Sequence, residues 1–174
     1  MKNKPTRRQG REWALQLLFQ LDLNPGDDFA TAFDGFWNQQ WISNADTTRD
    51  TTGEKLPPPL SLDAAANDVA PPASRAFVER LVKGVLENRT LLDDTLQRYT
   101  HNWNVQRMGV VDRNVLRLAL FEILIVREAP PPVIINEAID LAKYYSNADS
   151  GRFVNGILDR AIKDSNSAPE PNSN

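Results

Sequence analysis

Apolar residues recur along this 174-residue chain at intervals of three and four, the spacing of one face of an α-helix. The densest run is VVDRNVLRLALFEILIV, Val110 to Val126. On a helix of roughly 25 Å, Val115, Leu116, Leu118, Leu120, Phe121, Ile123, Leu124 and Ile125 point in nearly every direction. A helix apolar all round sits at the centre of a core or in lipid. A lipid span wants about 20 mainly apolar residues, and Arg117 and Glu122 interrupt this run. The segment is therefore predicted as the hub of an all-helical domain with no membrane span, stopped by Pro130-Pro131-Pro132.

Further helices follow from the same pattern. The first should start at a Thr6 cap, turn Ala14, Leu17, Leu18 and Leu21 inward, and end at Asn24-Pro25-Gly26. A second, from Asp27, carries Phe29, Phe33, Phe36, Trp37 and Trp41, with acids where the helix dipole favours them. Ser74 can cap a third, with Phe77, Leu81 and Val85 on one face. Thr90 followed by Asp93 resembles a capping box for a short helix bearing Leu92, Leu96 and Tyr99, after which HNWN reads as a loop. Beyond the hub, VIINEAIDLAKYY turns Ile135, Ile139 and Ala142 inward. A polar turn over 146–151 leads to a last helix with Phe153, Val154, Ile157, Leu158 and Ala161. No strand alternation appears. The expected fold is all-α, a compact bundle of about seven helices. Residues 43–72 lose the periodicity and gather Pro57, Pro58, Pro59, Pro71 and Pro72, so they read as a mobile insertion in a helical domain spanning 1–163. A disordered tail is expected over 164–174.

Composition removes most chemistry. With no cysteine and a single histidine, His101, disulfides, zinc–thiolate sites and multi-histidine metal sites are excluded. Glu137 and Asp140 could share a helix face, but a carboxylate-bridged metal site in a bundle wants Glu-x-x-His partners, and a solvated acidic face is the expectation. Gly109, Gly151 and Gly156 follow no strand and form no phosphate loop. We therefore expect no enzyme, no cofactor and no metal. The basic start has no apolar stretch of the signal-peptide kind after it, which predicts a cytoplasmic protein. Net charge is −3; its distribution says more than its sum.

Lys2, Lys4, Arg7, Arg8 and Arg11 oppose a single Glu12. Cations at a helix start work against its dipole by about 0.3–1 kcal/mol each, which points to an anionic partner, and helix starts themselves favour phosphate. Arg7, Arg11, Leu15 and Phe19 lie on one i,i+4 ridge, a combination suited to single-stranded RNA through phosphate neutralisation and base stacking. The alternative is a solvated basic start with Phe19 in the core. SGRFVNG offers a second site, with Arg152 and Asn155 on one side of a helix start and Phe153 beside them. The alternative there makes Phe153 core and Asn155 a packing residue.

In order, RRQGREWALQLLFQ, DRNVLRLALFEIL, INEAIDLAK and SGRFVNGILDR closely resemble the NusB family of transcription antitermination factors, from about Arg7 to Lys163 apart from the insertion. The resemblance implies two helical subdomains and a non-enzymatic role: pairing with NusE, a small-subunit ribosomal protein, to bind boxA RNA of nascent ribosomal transcripts within the RNA polymerase antitermination complex. It places RNA contacts on Arg7, Arg8, Arg11, Phe19, Arg152, Phe153 and Asn155, positions tuning RNA or partner engagement at Asp112 and Asp149, and the NusE surface on the C-terminal helices. The chain departs from the family pattern at Gln9 and Gly10, at Phe19 (usually Tyr), and in the insertion. Two other readings stay open: a helical adaptor binding protein only, and a detached NusB-like domain of an rRNA methyltransferase. A homodimer covering the basic ridge is also possible.

Overall fold

The protein is described by a computed structural model covering residues 6–37, 72–100 and 104–167, with the backbone alone for 165–167. Trp41, His101, all of the predicted insertion before Pro72 and the last seven residues of the tail, 168–174, lie outside the described residues. Within them are seven α-helices and no strand. These are α1 (Arg7–Leu23), α2 (Phe29–Trp37), α3 (Pro72–Glu87), α4 (Arg89–Tyr99), α5 (Val110–Phe121), α6 (Pro131–Tyr145) and α7 (Ala148–Ser167).

Several ends follow their local chemistry. The Thr6 side chain accepts the Gln9 N–H at 3.2 Å to start α1, and the Asn24 amide closes it on the Gln20 carbonyl at 2.9 Å. Asp28 caps α2, taking the Thr31 N–H at 3.0 Å and its hydroxyl at 2.6 Å. Other ends differ from expectation. α3 opens at Pro72 rather than at a Ser74 cap, since proline suits the first helical position. The capping box of Thr90 and Asp93 does not form: α4 begins at Arg89, and Asp93 instead takes two bonds of 2.7 Å from Arg117. The first turn of α7 includes Asp149, Ser150 and Gly151, because Asn147 Oδ1 accepts the N–H groups of Asp149 and Ser150 at 3.0 Å each. That helix continues past Asp164 to Ser167, where a disordered tail was expected.

The hub is as predicted over 110–126, but its end is not proline-driven. α5 widens into a π turn over Glu122–Val126 and stops at Arg127, whose φ of 55° is left-handed. The Arg127 N–H bonds the Glu122 carbonyl at 2.8 Å and its Nε the Leu124 carbonyl at 2.8 Å, so local hydrogen bonds hold a conformation that ordinarily favours glycine. The prolines act one step later, with Pro131 opening α6.

Helices α1, α3, α4, α6 and α7 all pack against α5, with α2 laid against α1. Val111, Val115, Leu116, Leu118, Leu120 and Phe121 are all buried. Close approach is bought with glycine: a Cβ at Gly84 on α3 would overlap the Phe121 ring, and one at Gly10 on α1 would lie 2.5 Å from the Phe77 ring. Gly10, a poor helix former, is thus explained by the α1–α3 contact.

The two arginines and the glutamate inside the hub and beside it are not exceptions to burial but paired members of the core. Arg117 is 1% exposed and lies between Asp93 and Asp22, 3.1 Å from the latter. Asp22 also receives Arg113 at 3.0 Å, Asn114 at 3.1 Å and Arg89 at 2.7 Å. One carboxylate from the end of α1 therefore ties together α1, α4 and α5.

Candidate nucleic-acid interface

The start of α1 divides into a solvated pair and a buried remainder. The side chains of Arg7 and Arg8 are 64% and 46% exposed. Arg7 lies 4.3 Å above the Phe77 ring centroid and 3.8 Å from Glu128. Arg80 of α3 pairs with the same Glu128 and sits 5.8 Å from the same ring. Thr6, Gly10, Ser74 and Phe77 line an open groove of about 480 Å³ between them. Arg8 reaches Asp140 of α6 at 3.2 Å and Glu12 at 3.6 Å. Burial pushes the Glu12 carboxyl up, the Arg8 charge opposes this, and Glu137 across the interface adds to the rise.

From Arg11 onward the predicted ridge turns inward, which corrects two expected RNA contacts. Arg11 is 6% exposed, and its guanidinium grips Glu122 with bonds of 2.7 and 2.9 Å. It is the partner that makes Glu122 tolerable inside the hub, since a buried charge left unpaired is strongly destabilising. Phe19 is fully buried, so its ring has no face open to a base; the core alternative is the one adopted. An i,i+4 row was correctly read, but its lower part points at α5 rather than at solvent.

At the start of α7 the side chains are more open. Arg152 is exposed and has no ion pair among the described residues, and the Asn155 side chain is partly exposed with no hydrogen bond there. Phe153 is half-buried and packs against the core. Asp149 is exposed beside them. Asp112, at the head of α5, is more internal: its Oδ2 accepts the Ser150 hydroxyl at 3.0 Å. Burial pushes this carboxyl up, while hydrogen bonds from Ser150 and Ser146 pull it back. Asp112 thereby pins the first turn of α7 to α5 and positions the residues that follow.

Both basic groups border α6. Arg8 meets it through Asp140, and α7 meets it where the Lys143 side chain lies over Gly151, 2.8 Å from where a Cβ would stand. Arg80, Glu128 and Lys143 carried no local signal in the sequence, and Phe77 was read only as part of an apolar helix face, because each joins the region through contacts distant along the chain. Among the described residues no cluster of His, Cys, Asp and Glu could hold a metal ion, and no helix is long and apolar enough to cross a membrane.

Comparison with known proteins agrees with this architecture. The profile of the NusB family matches residues 8–163. The transcription antitermination protein NusB of Desulfitobacterium hafniense is 36% identical over 166 residues, covering 95% of this chain and 93% of that protein. Its counterpart in Myxococcus xanthus is 40% identical over 154 residues, covering 88% and 92%. Among solved structures, NusB of T. maritima superposes with a TM-score of 0.70 at 32% identity, covering 92% of this chain and 93% of that one. A structure of antitermination factors NusB and NusE in complex with dsRNA shares the fold, with a TM-score of 0.65 at 20% identity over 91% of this chain and 96% of that one. On sequence and fold together, the chain belongs to the NusB family.

Proposed function

We propose that this protein is a non-enzymatic transcription antitermination factor acting in the cytoplasm. It binds boxA-type RNA of nascent ribosomal transcripts jointly with NusE and helps RNA polymerase resist termination. The observation that carries this reading is the start of α7. There Arg152 and Asn155 have no side-chain partner among the described residues and stand beside the half-buried Phe153, giving in one helical turn a phosphate cation, a hydrogen-bonding amide and a stacking ring. Family membership supports it, as does the exposed pair Arg7 and Arg8 at the start of α1. Arg7, Arg8, Arg152, Phe153 and Asn155 make the RNA contacts. Arg11 and Phe19 act through the core that holds α1 in place. Asp112 and Asp149 tune the α7 start, and NusE occupies the C-terminal helices.

Changing Arg7, Arg8 and Arg152 to Ala should weaken RNA binding and flatten its dependence on salt. For single strands the logarithmic slope is about −0.7 per neutralised phosphate, so three lost contacts should remove roughly 2 units. Phe153→Ala should cost about 1–3 kcal/mol of binding with little change in slope, provided circular dichroism shows the helices intact. NusE binding should persist when Arg7 and Arg8 alone are changed, since both lie on α1 and outside the C-terminal helices. Unchanged affinity and slope in the triple-arginine variant would instead favour a protein-only adaptor.

A further inference from the structure

Glycine in a helix interior is the costliest residue there after proline, and at three positions the fold accounts for it. A Cβ at Gly10, Gly84 or Gly151 would press on Phe77, Phe121 or Lys143 respectively. Gly156 is different. It lies well inside α7, it is exposed, and a Cβ there would meet nothing within 4 Å. Packing among the described residues therefore gives no reason for its missing side chain.

Its surroundings do. On an α-helix the neighbours on the same ridge are four residues away on either side, here Arg152 and Arg160. Both are exposed, and neither makes an ion pair among the described residues. Asn155, its amide also without a partner there, adjoins the gap. Two guanidiniums with no ion pair among the described residues thus bracket a stretch of helix backbone, roughly 12 Å from end to end. Asp149 and Asp159 lie near this ridge but close on neither arginine.

Resting on the RNA-binding reading above, we propose that Gly156 is where the RNA strand runs directly against the α7 backbone, with Arg152 and Arg160 neutralising phosphates on either side. The missing side chain lets ribose and phosphate approach closely, and Asn155 meets the strand at the crossing. This extends the interface along α7 by nearly two turns beyond Phe153 and adds Arg160 to its cations.

The test is fluorescence-anisotropy titration of a labelled boxA oligoribonucleotide with the full chain, with and without NusE, alongside thermal unfolding. Gly156→Ala should keep or raise the unfolding midpoint, because alanine is the better helix former, and should weaken RNA binding by roughly ten-fold or more. Arg160→Ala should weaken binding and reduce the salt slope by about 0.7. If Arg152→Ala weakens binding while Gly156→Ala and Arg160→Ala both stay within about two-fold of the parent, the RNA-binding reading stands and this extension is overturned. If Gly156→Ala loses NusE and retains RNA, the ridge is a protein contact and the proposal is equally overturned. Should Gly156→Ala prove unstable, Arg160→Ala alone decides, since its exposed side chain carries no ion pair among the described residues whose loss would disturb the fold. A parent chain that binds no RNA in either condition overturns both readings.

Discussion

Asp22→Ala is expected to cost about 3–5 kcal/mol of folding stability, the range for breaking a buried ion pair from one side. Set against the roughly 5–15 kcal/mol that holds a typical domain together, this is among the most damaging single changes away from the apolar core. Asp22 receives Arg113, Arg117, Asn114 and Arg89. Arg117 would keep Asp93, but Arg113 is 8% exposed and would lose its carboxylate. The effect also has a pH signature. Burial alone would raise the Asp22 carboxyl, but Arg117, Arg113 and Arg89 outweigh it and hold it below 3.8. Its stabilising contribution is therefore complete above the unfolded value of 3.8 and disappears as pH falls through the lower folded value. Urea titrations at neutral and acid pH should show the gap between parent and Asp22→Ala narrowing across that window. A gap that is small at neutral pH, or constant with pH, would show that the arginines find other partners.

Glu122→Ala should be comparably harmful, at about 3–5 kcal/mol, because it strands the buried guanidinium of Arg11. The informative variant is the double change Arg11→Met with Glu122→Leu. Replacing a whole buried pair by apolar residues of similar size is often neutral or stabilising, so the double variant should recover most of what either single change loses, measured by calorimetry. It should also retain RNA binding if Arg11 is a core residue. A folded double variant that loses RNA binding would show that Arg11 leaves Glu122 to meet the strand.

The helices were legible because their information is local. Apolar residues at three- and four-residue spacing marked α1, α3, α4, α6 and α7, and the all-round apolar run marked α5 as the hub. Some local chemistry was legible too, as at the Thr6 cap and the Asn24-Pro25-Gly26 stop. What could not be read was decided by contacts far along the chain. Arg11 and Arg7 look alike in sequence, four residues apart in the same basic run. Only Glu122, brought in from the end of the hub, separates a core cation from a surface one. Asp93 looked like a capping residue and is claimed by Arg117. Phe19 was ambiguous between core and surface for the same reason, since an i,i+4 row has no intrinsic outward direction. At α7, Arg152, Phe153 and Asn155 sit near a helix end, where side chains have fewer core neighbours to claim them.

The central claim, that this chain reads RNA in company with NusE, is tested most directly by its salt-dependent binding to boxA and to a scrambled oligoribonucleotide of equal length, with and without NusE. The account predicts that the chain with NusE prefers boxA and that log Kd rises with log salt at a slope of about 0.7 for each phosphate contacted. Equal, salt-insensitive or absent binding of both RNAs, in a chain that still binds NusE, would contradict it and leave a protein-only adaptor.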